Sequence, residues 1–225
     1  MPLRVDRSTG SAGVFHAREI PDDGQVHVWW FEVDRPAVAL GSRQRTEIVD
    51  ATRCAEAGIE VVSRRSGGGA VYLEPGGIIW VDVIIPVSDP RWSGDVRDSM
   101  MWMGERWTRA LEALGTWSPE QLRVHRGGEQ STVWSDLVCF AGIGPGEVLA
   151  DGRKLVGISQ RRTRAGSRFQ CAVHLQSAPL KLVQLLRPPL PDIAMLPEVA
   201  CVEVAAAGEL VASLVAAIED VPRSR

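Results

Sequence analysis

The sequence predicts an α+β fold with a mixed, largely antiparallel sheet flanked by helices. Three observations predict it. Segments of strand character follow one another in adjacent, hairpin-like pairs instead of alternating regularly with helices. One long segment, Ser93–Leu114, repeats apolar residues at spacings of three and four. The 225 residues are 45% hydrophobic and 24% charged, which suits one well-filled core and a single domain over residues 1–225.

Each element has its own signal. Gln25–Val33 (QVHVWWFEV) and Ala37–Leu40 read as strands, with Trp29 and Trp30 as core and sheet-face residues. Thr46–Ala57 predicts a helix that Gly58 stops. Ile59–Ser63 is a short strand running into a glycine loop. Ala70–Leu73 and Ile78–Ile85 predict a hairpin around Glu74-Pro75-Gly76-Gly77, a strong turn sequence. In Ser93–Leu114, Val96, Met100, Met103, Trp107, Ala110, Leu111 and Leu114 form one apolar stripe, the pattern of a helix packed on a core. Ser93 or Asp95 can cap its start and Gly115 its end. Leu137–Phe140, Gly146–Leu149, Lys154–Ser159 and Phe169–Leu175 predict further strands, with a turn at Asp151-Gly152. Leu180–Leu186 and Ala205–Ile218 predict helices on either side of a proline-rich connection.

Composition excludes several classes of function. The net charge of -3 gives no footprint for nucleic acid. The longest apolar run, Gly77–Val87, is broken by Asp82 and falls short of the roughly 18 residues a membrane span needs. The N-terminal stretch has no apolar core of a secretory signal, so a cytoplasmic protein is expected. The cysteines at 54, 139, 171 and 201 and the histidines at 16, 27, 125 and 174 match no metal-binding spacing. Reduced, buried thiols are expected, and no protein metal site.

Two segments carry chemistry. Ser63–Tyr72 reads SRRSGGGAVY. Consecutive glycines allow positive φ and let a ligand approach main-chain N–H groups, while Arg64 and Arg65 offer charge and forked donors. No GK[ST] follows, so this is not a Walker A loop, and the spacing is wrong for a dinucleotide fingerprint. Asp151–Arg162 reads DGRKLVGISQRR. It places Lys154 at a strand start beside Gly157, where a lysine can reach a bound phosphate or an acyl carbonyl.

Together SRRSGGGAVY and GRKLVGISQRR resemble the biotin/lipoate protein ligase superfamily, and most of all its lipoate–protein ligase catalytic domains and their octanoyltransferase relatives. Pro36–Gln44 (PAVALGSRQ) and Ile78–Pro86 are similar to further segments of that family, so the resemblance runs over roughly residues 26–186. It implies a fold related to the catalytic domains of class II aminoacyl-tRNA synthetases. Many ligases of this kind carry an accessory C-terminal domain; the roughly 40 residues after the resemblance are too few for one, so none is expected. It implies that Arg64, Ser66, Gly67, Gly68, Gly69, Ala70, Val71, Tyr72, Lys154 and Gly157 bind a nucleotide or acyl-adenylate. The activity implied is attachment of lipoate or octanoate to a lysine of a lipoyl domain, as in a 2-oxoacid dehydrogenase E2 or a glycine cleavage H protein, using ATP with Mg2+. Biotin is a less favoured acid.

The same resemblance carries two alternatives. Val138-Cys139-Phe140 matches the Cys-Phe at which octanoyltransferases of the superfamily place a nucleophile. Cys139 would then take the acyl group from acyl carrier protein without ATP, with Lys154 lowering its pKa. The chain departs from the ligase pattern at Leu73 and Glu74, where a histidine and an aspartate are usual. A non-catalytic acyl-ligand-binding protein is the second alternative. The basic run Arg161, Arg162, Arg164 and Arg168 reads either as a solvated hairpin tip or as a docking patch for an acidic partner.

Overall fold

The computed structural model describes residues 3–175 and 179–220; residues 1–2, 176–178 and 221–225 of the expected 1–225 domain lie outside them. The order of elements is β1 (Arg4–Gly10), α1 (Ala12–Ala17), β2 (His27–Val33), β3 (Ala37–Leu40), α2 (Ala51–Glu56), β4 (Glu60–Ser63), β5 (Val71–Leu73), β6 (Ile78–Pro86), α3 (Val96–Ala113), β7 (Leu122–Val124), β8 (Val148–Ala150), β9 (Arg153–Arg162), β10 (Gly166–His174), α4 (Pro179–Val183) and α5 (Ala207–Glu219). The strands form a seven-stranded sheet, β1-β2-β6-β10-β9-β8-β7, and a three-stranded sheet, β4-β3-β5. Only β1–β2 and β3–β4 are parallel; every other pair is antiparallel, so the expected mixed α+β fold stands.

Alternation along the strands sets the layers. In β6, Ile79, Val81, Val83 and Ile85 face the cluster formed with α3 and α5. Trp80 and Ile84 face the small sheet and α1, where they meet Phe15, Ala37, Ala39, Val71 and Leu73. A strand buried on both faces reads as an unbroken apolar run, which is how β6 looks in the sequence. Val38, Leu40 and Tyr72 point outward from the small sheet onto Cys54, Trp134, Leu182, Leu185 and Leu186. The α3 stripe packs as expected from Met100 onward, with Met103, Trp107, Ala110 and Leu111 fully buried, while Val96 in the first turn is exposed; Asp95 caps the helix through Asp98 N.

Four expectations are corrected. The segments either side of Glu74–Gly77 are not hairpin partners. Both edges of β6 are taken by β2 and β10, so β5 pairs with β3 in the other sheet. Thr46–Ala57 is not one helix. Buried Val49 bridges to Leu186 and Asp50 N donates to Leu185 O, which extends the chain; Asp50 then caps α2 by accepting from Arg53 N. Leu137–Phe140 is not a strand. Trp134 O accepts from both Leu137 N and Val138 N, and Cys139–Ala141 form a single 3-10 turn. The basic run is not a free patch. Arg168 is buried in an ion pair with Asp82, Arg162 donates to the Ser93 and Gly94 carbonyls, and Arg161 lies 3.6 Å from Glu19. Of the four, Arg164 alone is exposed. The N-terminal segment, to which the sequence reading assigns no element, supplies β1 and α1.

Candidate active site

The glycine loop links β4 to β5 and is held from three sides. Arg64 N donates to Leu40 O, and Ser42 N donates to Ser66 O. Gln44 accepts from Gly41 N and donates to the Asp136 and Leu137 carbonyls, which ties the PAVALGSRQ turn to the segment carrying Cys139. That segment docks on the loop itself, through Ala70 N to Leu137 O at 2.9 Å and Cys139 N to Ala70 O at 3.0 Å.

The three glycines do different work. A Cβ on Gly69 would lie 2.7 Å from Cys139 N and 2.7 Å from the Val138 carbonyl carbon, so only glycine lets the cysteine turn seat here. Gly68 has φ +95 and sits under Cys139 Sγ. Gly67 is exposed with open space around it. Among the described residues the N–H groups of Gly67, Gly68 and Gly69 have no acceptor.

Arg64 is buried and folds back on the loop, donating to Gly67 O at 2.7 Å and Gly69 O at 2.9 Å. Its Nη2 lies 3.7 Å from Cys139 Sγ, and its Nε has no partner. The cation beside the thiol is therefore Arg64 and not Lys154. Lys154 is buried, and its ammonium group is fully engaged: Glu147 at 2.8 Å, Cys139 O at 2.9 Å and Gly142 O at 3.0 Å. Glu147 is itself fixed by the N–H groups of Gly144 and Ile158. Lys154 thus holds the backbone on both sides of the cysteine turn. Gly157 leaves room for Phe140, whose ring a Cβ there would approach to 3.0 Å.

Arg64, Cys139, Phe140 and Gly157 line a half-open pocket. Cys139, Arg64, Ser159, Gln170 and His16 supply its polar atoms; Ala39, Val71, Leu73, Trp80, Phe140, Ile158 and Ala172 supply apolar wall. Leu73 stands in that wall, at the position where the ligase pattern has a histidine. Of the sequence-predicted site residues, the pocket brings together Arg64, Val71, Gly157 and Cys139. Ser66 lies behind it, donating to Gln170; Ala70 bridges to Val138, and Tyr72 faces the outer core.

The sequence reading missed His16, Gln170, Ser159 and Glu147. Burial pushes the His16 imidazole down to about 3, with help from the charges of Arg64 and Arg168. His174, packed against Phe140 and close to the Lys154 charge, is pushed down to about 4, mainly by burial. All four cysteines are free; burial raises the thiols of Cys54, Cys171 and Cys201, which keeps them protonated and inert. Cys139 is the partly exposed thiol that lines the pocket.

A two-sheet catalytic scaffold with this loop, lysine segment and pocket is that of the biotin/lipoate protein ligase class. The model of the lipoyl protein ligase A/B catalytic domain matches residues 15–197, and the chain belongs to that family. It is 28% identical over 178 residues to octanoyltransferase LipM of Kyrpidia tusciae, a match covering 78% of this chain and 63% of that protein's length. Lipoate-protein ligase A bound with ATP superposes with a TM-score of 0.72 at 17% identity, covering 98% of this chain and 85% of that one. A bi-partite lipoate protein ligase from Thermoplasma acidophilum, solved in a study that includes its E2 lipoyl domain, gives a TM-score of 0.66 at 17% identity over 100% of this chain and 87% of that one. Among the described residues no helix is long and apolar enough to cross a membrane.

Proposed function

We propose that this domain transfers a medium-chain acyl group, of octanoyl type, from a carrier thioester to a lysine of a lipoyl-type acceptor domain, with Cys139 as nucleophile. The observation that carries the reading is Cys139 Sγ on the wall of a largely apolar pocket, 3.7 Å from the Arg64 guanidinium. Cys139 sulfur gives up its proton and attacks the thioester carbonyl, and the carrier leaves as its thiol, taking up that proton. An acceptor lysine amine then attacks the acyl-cysteine, an amide forms, and its proton returns to Cys139 sulfur. Arg64 stands where negative charge develops on the carbonyl oxygen. Lys154 and Glu147 set the turn that presents the sulfur. The similarity to an octanoyltransferase supports the acyl class, and the lipoyl-domain partner rests on the family alone.

Incubation with octanoyl acyl carrier protein should leave one octanoyl adduct on Cys139, seen by mass spectrometry. Cys139→Ala should lower transfer to a lipoyl domain by at least about 100-fold; a variant that retains full transfer rules the reading out.

One observation favours a second reading, the ATP-dependent ligase. Among the described residues three consecutive N–H groups, at Gly67, Gly68 and Gly69, have no acceptor, and neither has Arg64 Nε; such a run of free N–H groups can cradle an anion. On this reading the loop and Arg64 would hold the phosphates of ATP, with Mg2+ carried mainly by phosphate oxygens. ATP–pyrophosphate exchange driven by octanoate or lipoate, and surviving in Cys139→Ala, would select it.

A further inference from the structure

Two arginines that neither chemistry uses converge on one carboxylate. Arg65 comes from the glycine loop and Arg161 from β9. Both hold Glu19, in the loop between α1 and β2: Arg65 Nη1 pairs with Oε1, and Arg161 Nη1 lies 3.6 Å from Oε2. The Glu19 side chain is 65% exposed, Arg65 48% and Arg161 23%, so the cluster opens to solvent. Among the described residues Arg65 donates to Glu19 alone, and Arg161 Nη1 donates no hydrogen bond. The Arg65 hydrogen bond, with the charges of Arg65, Arg161 and Arg168, holds the Glu19 carboxyl below its ordinary range. Two guanidinium forks with donors to spare make a grip suited to phosphate.

Strand register places this cluster in line with the pocket. On β9, Gly157, Ser159 and Arg161 alternate onto one face. Their partners on β10 are Ala172, Gln170 and Arg168. The first two of these rows line the pocket, and Arg161 stands in the next. The Gly157 row is apolar: Trp80 lies opposite Ala172, and Phe140, next to the nucleophile, packs on Gly157. The Ser159 row is polar. Ser159 donates at 3.0 Å to Ser66, the neighbour of Arg65, which brings the glycine loop to that same end. Four strand residues separate Gly157 from Arg161, about 13 Å.

A thioester donor must set its carbonyl at Cys139 and its acyl chain on apolar wall, with the remainder leading out to solvent. A protein carrier holds its acyl group on a pantetheine arm that ends in a phosphodiester. From sulfur to phosphorus that arm is as long as four to five extended residues, roughly 15 Å. We propose that Arg65 and Arg161 form a phosphate site for the donor's pantetheine arm, and that Glu19 is the resident anion which the phosphate displaces. Without a donor, Glu19 holds two like charges together; it is exposed enough to swing away when phosphate arrives. This site rests on the acyl-transfer reading and adds to it how the donor is held.

The test compares two donors that differ only in the phosphate: octanoyl pantetheine 4′-phosphate and octanoyl pantetheine. The rate of Cys139 acylation at low donor concentration is followed by mass spectrometry. The phosphate-bearing donor should react about tenfold faster with the wild type. Arg65→Met, at an exposed residue, should lower that ratio, and Arg65→Met with Arg161→Met should bring it close to one. Glu19→Gln should raise it above the wild-type value. Each ratio is taken within one protein, so a general loss of activity does not imitate the result. A wild-type ratio near one, a preference that persists in the double variant, or a Glu19→Gln ratio no higher than wild type overturns the phosphate site, while acylated Cys139 leaves acyl transfer standing. If calorimetry shows ATP binding lost in the double variant while the donor ratio is near one in the wild type, the phosphate is a nucleotide's and the carrier assignment is wrong. No acylation of Cys139 by either donor removes the acyl-transfer reading and this site with it.

Discussion

Lys154 and Glu147 show how a residue's chemistry depends on what surrounds it. Both are buried, and they meet at 2.8 Å. Removing one member of such a pair leaves the other buried and uncompensated, at about 3–5 kcal/mol, whereas replacing both is far milder. Lys154→Met should therefore cost stability of that order in urea denaturation, and Lys154→Met with Glu147→Gln should recover most of it. A Lys154→Met protein that keeps wild-type stability yet loses acyl transfer would show that Lys154 acts on the acyl group directly. At this scale the sequence reveals Arg64, Cys139 and Lys154, because each stands inside a motif. It hides Glu147, His16 and Gln170, single polar residues whose role depends on contacts far along the chain. Asp82 is an intermediate case. A lone carboxylate inside an apolar run signals a buried partner, yet nothing local names Arg168, 86 residues away.

At the scale of the element, the glycine loop and the cysteine turn act as one unit. The sequence shows three equivalent glycines; the fold ranks them. Gly67→Ala should leave stability and adduct formation near wild type, since its Cβ meets nothing within 4 Å. Gly68→Ala should cost about 1–2 kcal/mol for its left-handed backbone. Gly69→Ala should cost about 1–3 kcal/mol in denaturation and slow adduct formation most, because its Cβ would drive the Cys139 backbone off the loop. A Gly69→Ala protein that acylates at the wild-type rate would show that the docked turn is not the reactive arrangement. The β5–β6 hairpin expectation failed for a reason of the same scale. A turn sequence predicts that the chain reverses, but which strand it then pairs with depends on which edges are already occupied.

The whole molecule carries two histidines whose imidazoles stay neutral far into acid, His16 at about 3 and His174 at about 4, against 6.5 for a free side chain. Between 6.5 and those values the unfolded chain binds protons that the folded chain refuses. Stability should therefore fall as pH drops from 6.5 towards 3. Urea denaturation across that range should show the slope, and His174→Gln should make it shallower. The layering of the fold was legible in the alternation of its strands and the stripe of α3, because burial enforces both periods. The N-terminal strand and helix were not, since Arg4–Gly10 alternates without a strong apolar face and α1 is a single short turn and a half. Yet Arg168, on β10, donates to the carbonyls of Phe15 and Arg18, contacts separated by 153 and 150 residues. Closing so large a loop is slow, and contacts of that separation form late. The wall that bears His16 is thus tied to a strand 150 residues further along the chain, so the pocket is finished only once those two distant segments have met.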